Sequence, residues 1–472
     1  MCVSYSGLFN YAQKWGLILM MIDKAFDELT KKNKIVVGFD LENDFSQISY
    51  CRIDQSMPET FSQVMGEEEY DIPTVLCRLN DKAAALENAD EEKKSCWLIG
   101  RDAVKASEEG RGILIEDIVL NARYNTPIEV GDVKYKPDML LGIYIRKALA
   151  LLGAYISMDD ISCIAFTLKE MKPEMMKMIK DAMDSMYYRK VQICFQSHED
   201  CFYQYIIHQP EEMWIHDVIL YDYRKSGVLS YDFQVNRQTN PIACFIDTDS
   251  FPQMKMPDTK EMTEESRQAL YKRLDAILLD ILEKQCYKKN ITSIFLLGDF
   301  FSKEWCKESL KYMCHGRRVF QGNNLFSKGA CYGAREKMLA STLSTSYVYL
   351  SDDKLRANIG MKCDRGQEEI YFPILDAGTN WYDANKNFDV MLVKNNVINL
   401  VITPVDGGRT RVAQISLEGL KVRGNKTNRV GLKFYMNDSK SINIEIVDKG
   451  FGEMFPSTGQ VWKERIPIEA IE

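Results

Sequence analysis

Histidine is the scarcest chemical group in this chain, with 4 residues in 472. The 13 cysteines are scattered, no two form a C-x-x-C pair, and no Cys/His set has zinc-ligand spacing. A zinc site and a disulfide framework are therefore both disfavoured, and the odd number of thiols suits a reducing cytosol. Basic blocks are missing as well. The net charge is −8 with both signs interspersed, which argues against nucleic acid as the main partner. Nor is there a run long enough to cross a bilayer. The apolar stretch from Trp15 to Ile22 is too short, and it lacks a basic flank and a small-residue cleavage site. No membrane partner is expected, and a cytoplasmic location is. Residues 1–33 read as an N-terminal extension and a start helix, with Met20-Met21 opening a stretch typical of a cytosolic domain.

What is present is length and a repeated texture. A chain of 472 residues, 46% hydrophobic and 27% charged, is a soluble globular protein of two or three domains. Residues 34–40 and 46–54 read as strands, and Ile72 to Arg78 adds a further apolar stretch. Pro137 opens a helix on which Leu140, Ile143, Leu149 and Leu152 recur at helical spacing. "ISCIAFTL" is a buried strand, "KPEMMKMIKDAMDSMYY" a Met-rich amphipathic helix and "RKVQICF" another strand. The pattern then restarts with "HDVILYDY", "GVLSYDFQV" and "PIACFIDT". A long helix, the strand "ITSIFLLG", a helix, the strand "RRVFQG" and a last helix follow. Three strands, helix, strand, helix and strand thus occur twice. This is the texture of a duplicated α/β domain, lobe I over 34–215 with an insertion at about 55–135 and lobe II over 216–345. A cleft between two such lobes is a default ligand site.

After a connector at 346–356 the texture changes. Short strands separated by Gly, Asn, Asp and Ser turns fill 357–472. Val430, Leu432, Phe434 and Met436 alternate, as do Ile442, Ile444 and Ile446, which predicts an antiparallel sandwich with one buried face per sheet.

The stretch "GFDLENDFSQISY" carries the chemistry. A strand ends in Asp40, a tight polar turn follows, and a second strand begins; "DVILYDYRKSGVLSYDF" repeats the arrangement with Asp222. Together with "IFLLGDFFSKEW" and "FSKGACYGA", these stretches resemble the 70-kDa heat-shock chaperones of the actin-like ATPase superfamily. The likeness runs from Lys34 to the end of the chain, and a bacterial family known only as a domain of unknown function is a further resemblance. It implies a two-lobed actin-like fold of duplicated ribonuclease-H-like lobes, followed by an all-β substrate-binding sandwich. It also implies two hairpins that hold the phosphates of ATP or ADP, with Asp40 and Asp222 orienting water around Mg²⁺. By the same resemblance Gln196 stands where the catalytic Glu is expected. Asn43, Asp44, Arg224, Lys225, Ser226, Gly227, Gly298, Asp299 and Gly329 fall on the nucleotide-binding loops and closing helix. Arg123 is a loose counterpart of the expected lysine.

The pattern is degenerate. Gly-Thr-Thr is replaced by Glu42-Asn43-Asp44, which would set two carboxylates against triphosphate, and Gly-Gly-Gly-Thr is replaced by Arg224-Lys225-Ser226-Gly227. Gln196 can orient water but cannot act as a base. The expectation is a pseudo-ATPase in which Glu42 and Asp44 pair with Arg224 and Lys225 across the cleft, and whose sandwich binds a protein or peptide. No helical lid is expected, because the chain stops soon after the sandwich. The alternatives are an active ATPase or sugar-kinase-like phosphotransferase, and a purely structural module. Asp40 and Asp222 also fit as ordinary turn residues. His198, His208 and His216 lack ligand spacing, so no metal role is expected of them.

Overall fold

A computed structural model describes residues 34–64, 66–80, 96–185, 191–238, 241–257, 262–302, 305–322, 324–351, 354–365, 368–392, 396–404, 409–420 and 428–468. The expectations for residues 1–33 lie outside this set. The chain divides into two compact units, one running to Val235 and including Ile246–Tyr347, the other made of Asn236–Phe245 and Val348–Glu472.

Residues 34–347 hold two large mixed sheets of one design. In the first, β1 (Ile35–Leu41) pairs antiparallel with β2 (Phe45–Arg52), and β2 with the two-residue β3 (Glu59–Thr60). On its other side β1 runs parallel to β4 (Ile161–Leu168), and β4 parallel to β5 (Gln192–Ser197). In the second sheet β6 (Asp217–Arg224) pairs antiparallel with β7 (Gly227–Asn236), which neighbours β8 (Ile242–Phe251). It runs parallel to β9 (Ile291–Leu297), and β9 parallel to β10 (Arg318–Gln321). Both sheets therefore have the order fifth, fourth, first, second, third. Helices α1 (Pro137–Ala150), α2 (Pro173–Ser185) and α3 (His198–Ile207) take the places in the first half that α4 (Glu264–Gln285), α5 (Lys307–Met313) and α6 (Leu325–Met338) take in the second.

The correspondence extends to a register defect. Ile35 opposes Ile161 but Val36 opposes Cys163, so Ser162 is an extra residue. Asp217 opposes Ile291 but Val218 opposes Ser293, so Thr292 is extra. Both extra residues use their hydroxyls to tie down the neighbouring chain: Ser162 Oγ donates to Ile35 O at 3.1 Å, and Thr292 Oγ1 accepts from His216 N at 2.9 Å. Bulges persist within families as specific features of a sheet. The same bulge stands at the same place in both sheets.

β1 is buried along its whole length, as an apolar central strand covered on both faces should be. The helix covering it, α6, comes from the second half of the unit. A Cβ on Gly38 would lie 2.1 Å from Ser327 O and 2.4 Å from Cys331 N, so helix backbone rests directly on strand backbone. α6 also runs against α3, where a Cβ on Gly329 would lie 2.0 Å from Cys201 O. A histidine at each end of α3 stacks on a ring of α6: His198 on Phe326 at 4.0 Å and His208 on Tyr332 at 4.2 Å. His208 Nε2 sits 3.1 Å from Glu336 Oε1, and the other Glu336 oxygen accepts the Ser341 N–H at 2.8 Å. Burial pushes the Glu336 carboxyl up, but the bonds from His208 and Ser341 prevail and hold it at about 2.

The apolar stretch from Ile72 to Arg78 is not one strand. Ile72–Pro73 pairs with β2, whereas Leu76–Leu79 lies between Trp97–Ile99 and Gly112–Ile115 in a separate antiparallel sheet of the insertion. Pro73 has no N–H with which to continue a ladder. Between the two pieces Thr74 turns its hydroxyl onto Ser46 Oγ at 2.9 Å.

The second unit contains two four-stranded antiparallel sheets. In one, β11 (Ala357–Arg365) lies between β12 (Glu368–Leu375) and β14 (Val397–Pro404), and β14 pairs with β15 (Arg411–Ser416). The other has the order β13 (Asn385–Leu392), β16 (Asn428–Asp438), β17 (Ser441–Asp448), β18 (Val461–Pro467). Val430, Leu432, Phe434, Met436, Ile442, Ile444 and Ile446 are all buried, the period of two that puts alternate residues on one face. Asp438 closes the β16–β17 turn by accepting the backbone N–H of Lys440 and of Ser441, each at 2.9 Å.

Candidate functional site

Asp40 and Asp222 occupy equivalent positions near the ends of β1 and β6. Asp40 lies beside Thr167 of β4, and Asp222 beside Leu297 of β9. They are 2% and 4% exposed. A carboxylate buried to that degree needs a partner, and the two find theirs differently.

Asp40 is met by His198, the first residue of α3. Ser197 starts that helix by accepting the Asp200 N–H with its side chain, which fixes where His198 stands. The His198 Nε2 lies 3.1 Å from Asp40 Oδ1 and 3.5 Å from Glu42 Oε1, while Phe326 holds the ring plane from the other face. Burial alone would lower the His198 pKa, but Asp40, Glu42 and Glu199 outweigh it and raise it to about 9. Glu42 is held above its ordinary range, first by burial and then by Asp40, with His198, Arg224 and Lys169 pulling the other way.

Asp222 is met by Arg224 of its own strand, whose Nε lies 2.6 Å from Asp222 Oδ1 in an ion pair not aligned as a hydrogen bond. The same guanidinium sits 4.5 Å above the Phe45 ring, so it also reaches the first hairpin. Arg224 opposes Gly227 across a two-residue turn, Lys225-Ser226. Gly227 has φ +125°, and a Cβ there would lie 2.6 Å from Phe251 O, so the turn requires glycine. Lys225 Nζ lies 3.9 Å from Asp44 Oδ2; both side chains are exposed, so this cross-cleft pair is weak. The two hairpins, Lys169 and His198 border a cavity of about 280 Å³. A larger groove of about 1330 Å³ between α1 and α2 mixes cations such as Arg146 and Lys177 with anions such as Glu174 and Asp181. It gathers no comparable chemical set.

The remaining expected site residues are placed as follows. Asn43 turns away from the cavity centre toward the insertion: its Oδ1 accepts the Leu120 N–H at 2.9 Å and its Nδ2 donates to Asp117 Oδ1 at 2.7 Å. Gln196 is buried under α6, where a Cβ on Gly333 would fall 2.0 Å from its Nε2, and it does not border the cavity. Arg123 lies 3.6 Å from Glu170 Oε1. Gly329 serves the α3–α6 crossing described above. Gly298, at φ +95°, packs on β6, where a Cβ would meet Tyr223 O at 2.2 Å. The side chain of Asp299 lies outside the description. Glu42 pairs with His198, and Arg224 also acts on its carboxylate. His198 is the site residue that spacing rules miss. A usable signal is the pair Asp40 and Glu42 itself, since two carboxylates so close to a buried strand end need a cation beside them.

These residues do not fit a magnesium nucleotide. The first turn presents carboxylates where backbone N–H groups would have to approach phosphate. Beside Gly298, Tyr223 packs with Phe300, Phe301 and Trp305 at 5.1, 5.5 and 5.6 Å, as part of the hydrophobic core behind the sheet.

Residues 57–352 match the model described as Family of unknown function (DUF5716) C-terminal. The chain belongs to that family. Residues 354–468 match Domain of unknown function (DUF8552). No curated protein matches. The DUF5716 match includes His198, Asp222 and Arg224 and begins after the first hairpin. The two matches meet close to the division between the compact units. No helix among the described residues is long and apolar enough to cross a membrane.

Proposed function

We propose that the first unit is a degenerate actin-like ATPase of the 70-kDa heat-shock chaperone type, in which internal charge pairs stand where a magnesium nucleotide would. The protein acts as a non-catalytic, chaperone-like scaffold in the cytoplasm, and its C-terminal sandwich engages a protein or peptide segment. The observation that carries this reading is that both strand-ending aspartates are already neutralised from within, Asp40 by His198 and Asp222 by Arg224. The repeated sheet order and the repeated bulge support the actin-like ancestry. The edge strands of the sandwich support segment binding. β12 exposes Tyr371 and Phe372 and β15 exposes Val412, and an open edge takes an extended segment by strand addition. The free thiols of the described cysteines suit the cytoplasm.

Calorimetric titration of the full chain with ATP and ADP, with and without Mg²⁺, tests the proposal. No saturable heat is expected. Micromolar binding that Asp222→Ala abolishes would instead mean that Arg224 and Lys225 serve as phosphate ligands and that the active ATPase is the correct reading.

A further inference from the structure

We propose that Asp40, Glu42 and His198 form a binding site for one divalent first-row transition-metal ion, ligated by the imidazole Nε2 and one oxygen of each carboxylate. The three donor atoms lie within 4.8 Å of one another. Donors held at about 2.1 Å from a common ion lie about 3.0–3.5 Å apart, and the distances from Nε2 to the two carboxylate oxygens are 3.1 and 3.5 Å.

Hydrogen bonding alone leaves this cluster incomplete. Nε2 carries at most one hydrogen, which cannot serve two carboxylates well. Asp40 takes it, and the buried Glu42 Oε1 has no hydrogen-bond partner. A metal ion serves all three donors at once. Its binding replaces the Nε2–H···Oδ1 hydrogen bond: the proton leaves to solvent and the freed nitrogen lone pair binds the ion.

The ligands are also held in place beforehand. Asp40 is fixed in the sheet between β2 and β4. The imidazole is fixed by the Ser197 cap and by the Phe326 ring, which lies 6° from parallel. A ligand set of one imidazole and two carboxylates favours manganese, iron, cobalt or zinc over magnesium and calcium, which prefer all-oxygen sites. Glu42 and His198 border the cavity, so water can complete the coordination from that side. The inference does not depend on the pseudo-ATPase reading, because the ion binds without nucleotide.

The test uses the full chain, stripped with a chelator and titrated with Mn²⁺ followed by electron paramagnetic resonance, and with Co²⁺ followed by absorption. One equivalent should bind. Co²⁺ should give ligand-field bands without a thiolate charge-transfer band, and millimolar Mg²⁺ should not displace either ion. Glu42→Gln and His198→Gln should each weaken binding at least about tenfold, with unchanged circular dichroism. Should His198→Gln fail to fold, Glu42→Gln, at a partly exposed position, decides alone. Absence of stoichiometric binding, a thiolate band, or affinity unchanged by Glu42→Gln overturns the proposal.

Discussion

At the end of β1 the buried carboxylate is met by a histidine 158 residues away in sequence. At the end of β6 the equivalent carboxylate is met by an arginine two residues further along the same strand. The backbone frames match, down to the bulge on the parallel partner strand. The first solution is buried throughout, with His198 and Asp40 side chains 6% and 3% exposed, whereas Arg224 is 22% exposed and keeps some contact with water. A repeated sheet design therefore fixes where charge sits without fixing how it is balanced. The consequences of disturbing that balance should differ between the halves.

The largest effect is expected at Asp40. Asp40→Ala leaves a buried imidazolium facing Glu42 alone and should cost about 3–5 kcal/mol, read as a lower urea midpoint. Asp222→Ala frees an arginine that can turn toward solvent and should cost about 1–2 kcal/mol. Equal losses would break the contrast. Next comes the helix that covers β1. Gly38→Ala forces a carbon against helix backbone at 2.1 Å and should cost about 3 kcal/mol. Gly153→Ala, where an added carbon meets nothing within 4 Å, should be nearly neutral in the same thermal melts.

A third prediction concerns the far end of the α3–α6 pair. The Glu336 carboxyl is depressed from 4.5 to about 2 in the folded chain. A group with a depressed folded pKa stabilises above its unfolded value and loses that contribution as pH falls. The stability that this carboxylate contributes should be present above pH 4.5 and decline toward pH 2, and Glu336→Gln should flatten that part of the acid-unfolding curve. The smallest effect is expected at the exposed Lys225–Asp44 pair between the two hairpin turns. Lys225→Ala should change stability by less than about 0.5 kcal/mol, within the scatter of a denaturant titration.

Much of this organisation is legible in the sequence for physical reasons. The central strands are apolar runs closed by polar turns, so the central strands of both large sheets and the strand-end position of Asp40 and Asp222 can be read directly. The alternation from Val430 to Ile446 shows the buried face of its sheet in the same way. What is not legible depends on contacts between distant segments. Ser197 and the acidic turn after it mark a helix start at His198, but nothing local says that this start lies beside Asp40. The closeness of Gly329 to Cys201 and of Gly333 to Gln196 likewise appears only once α6 crosses α3. Gln196 consequently belongs to the packing under α6, although motif position alone assigns it to chemistry. The stretch from Ile72 to Arg78 misleads for a local reason, since apolar content continues through Pro73 while hydrogen bonding cannot.

The most direct measurement is the thermal unfolding of the full chain with and without excess MgATP. A ligand present at a hundredfold excess over its dissociation constant adds about 2.7 kcal/mol to the folded state, a shift of several degrees at this scale. With both aspartates neutralised from within, the midpoint should not move. A rise of several degrees that Asp222→Ala abolishes would contradict that expectation and show that the hairpins still hold a nucleotide.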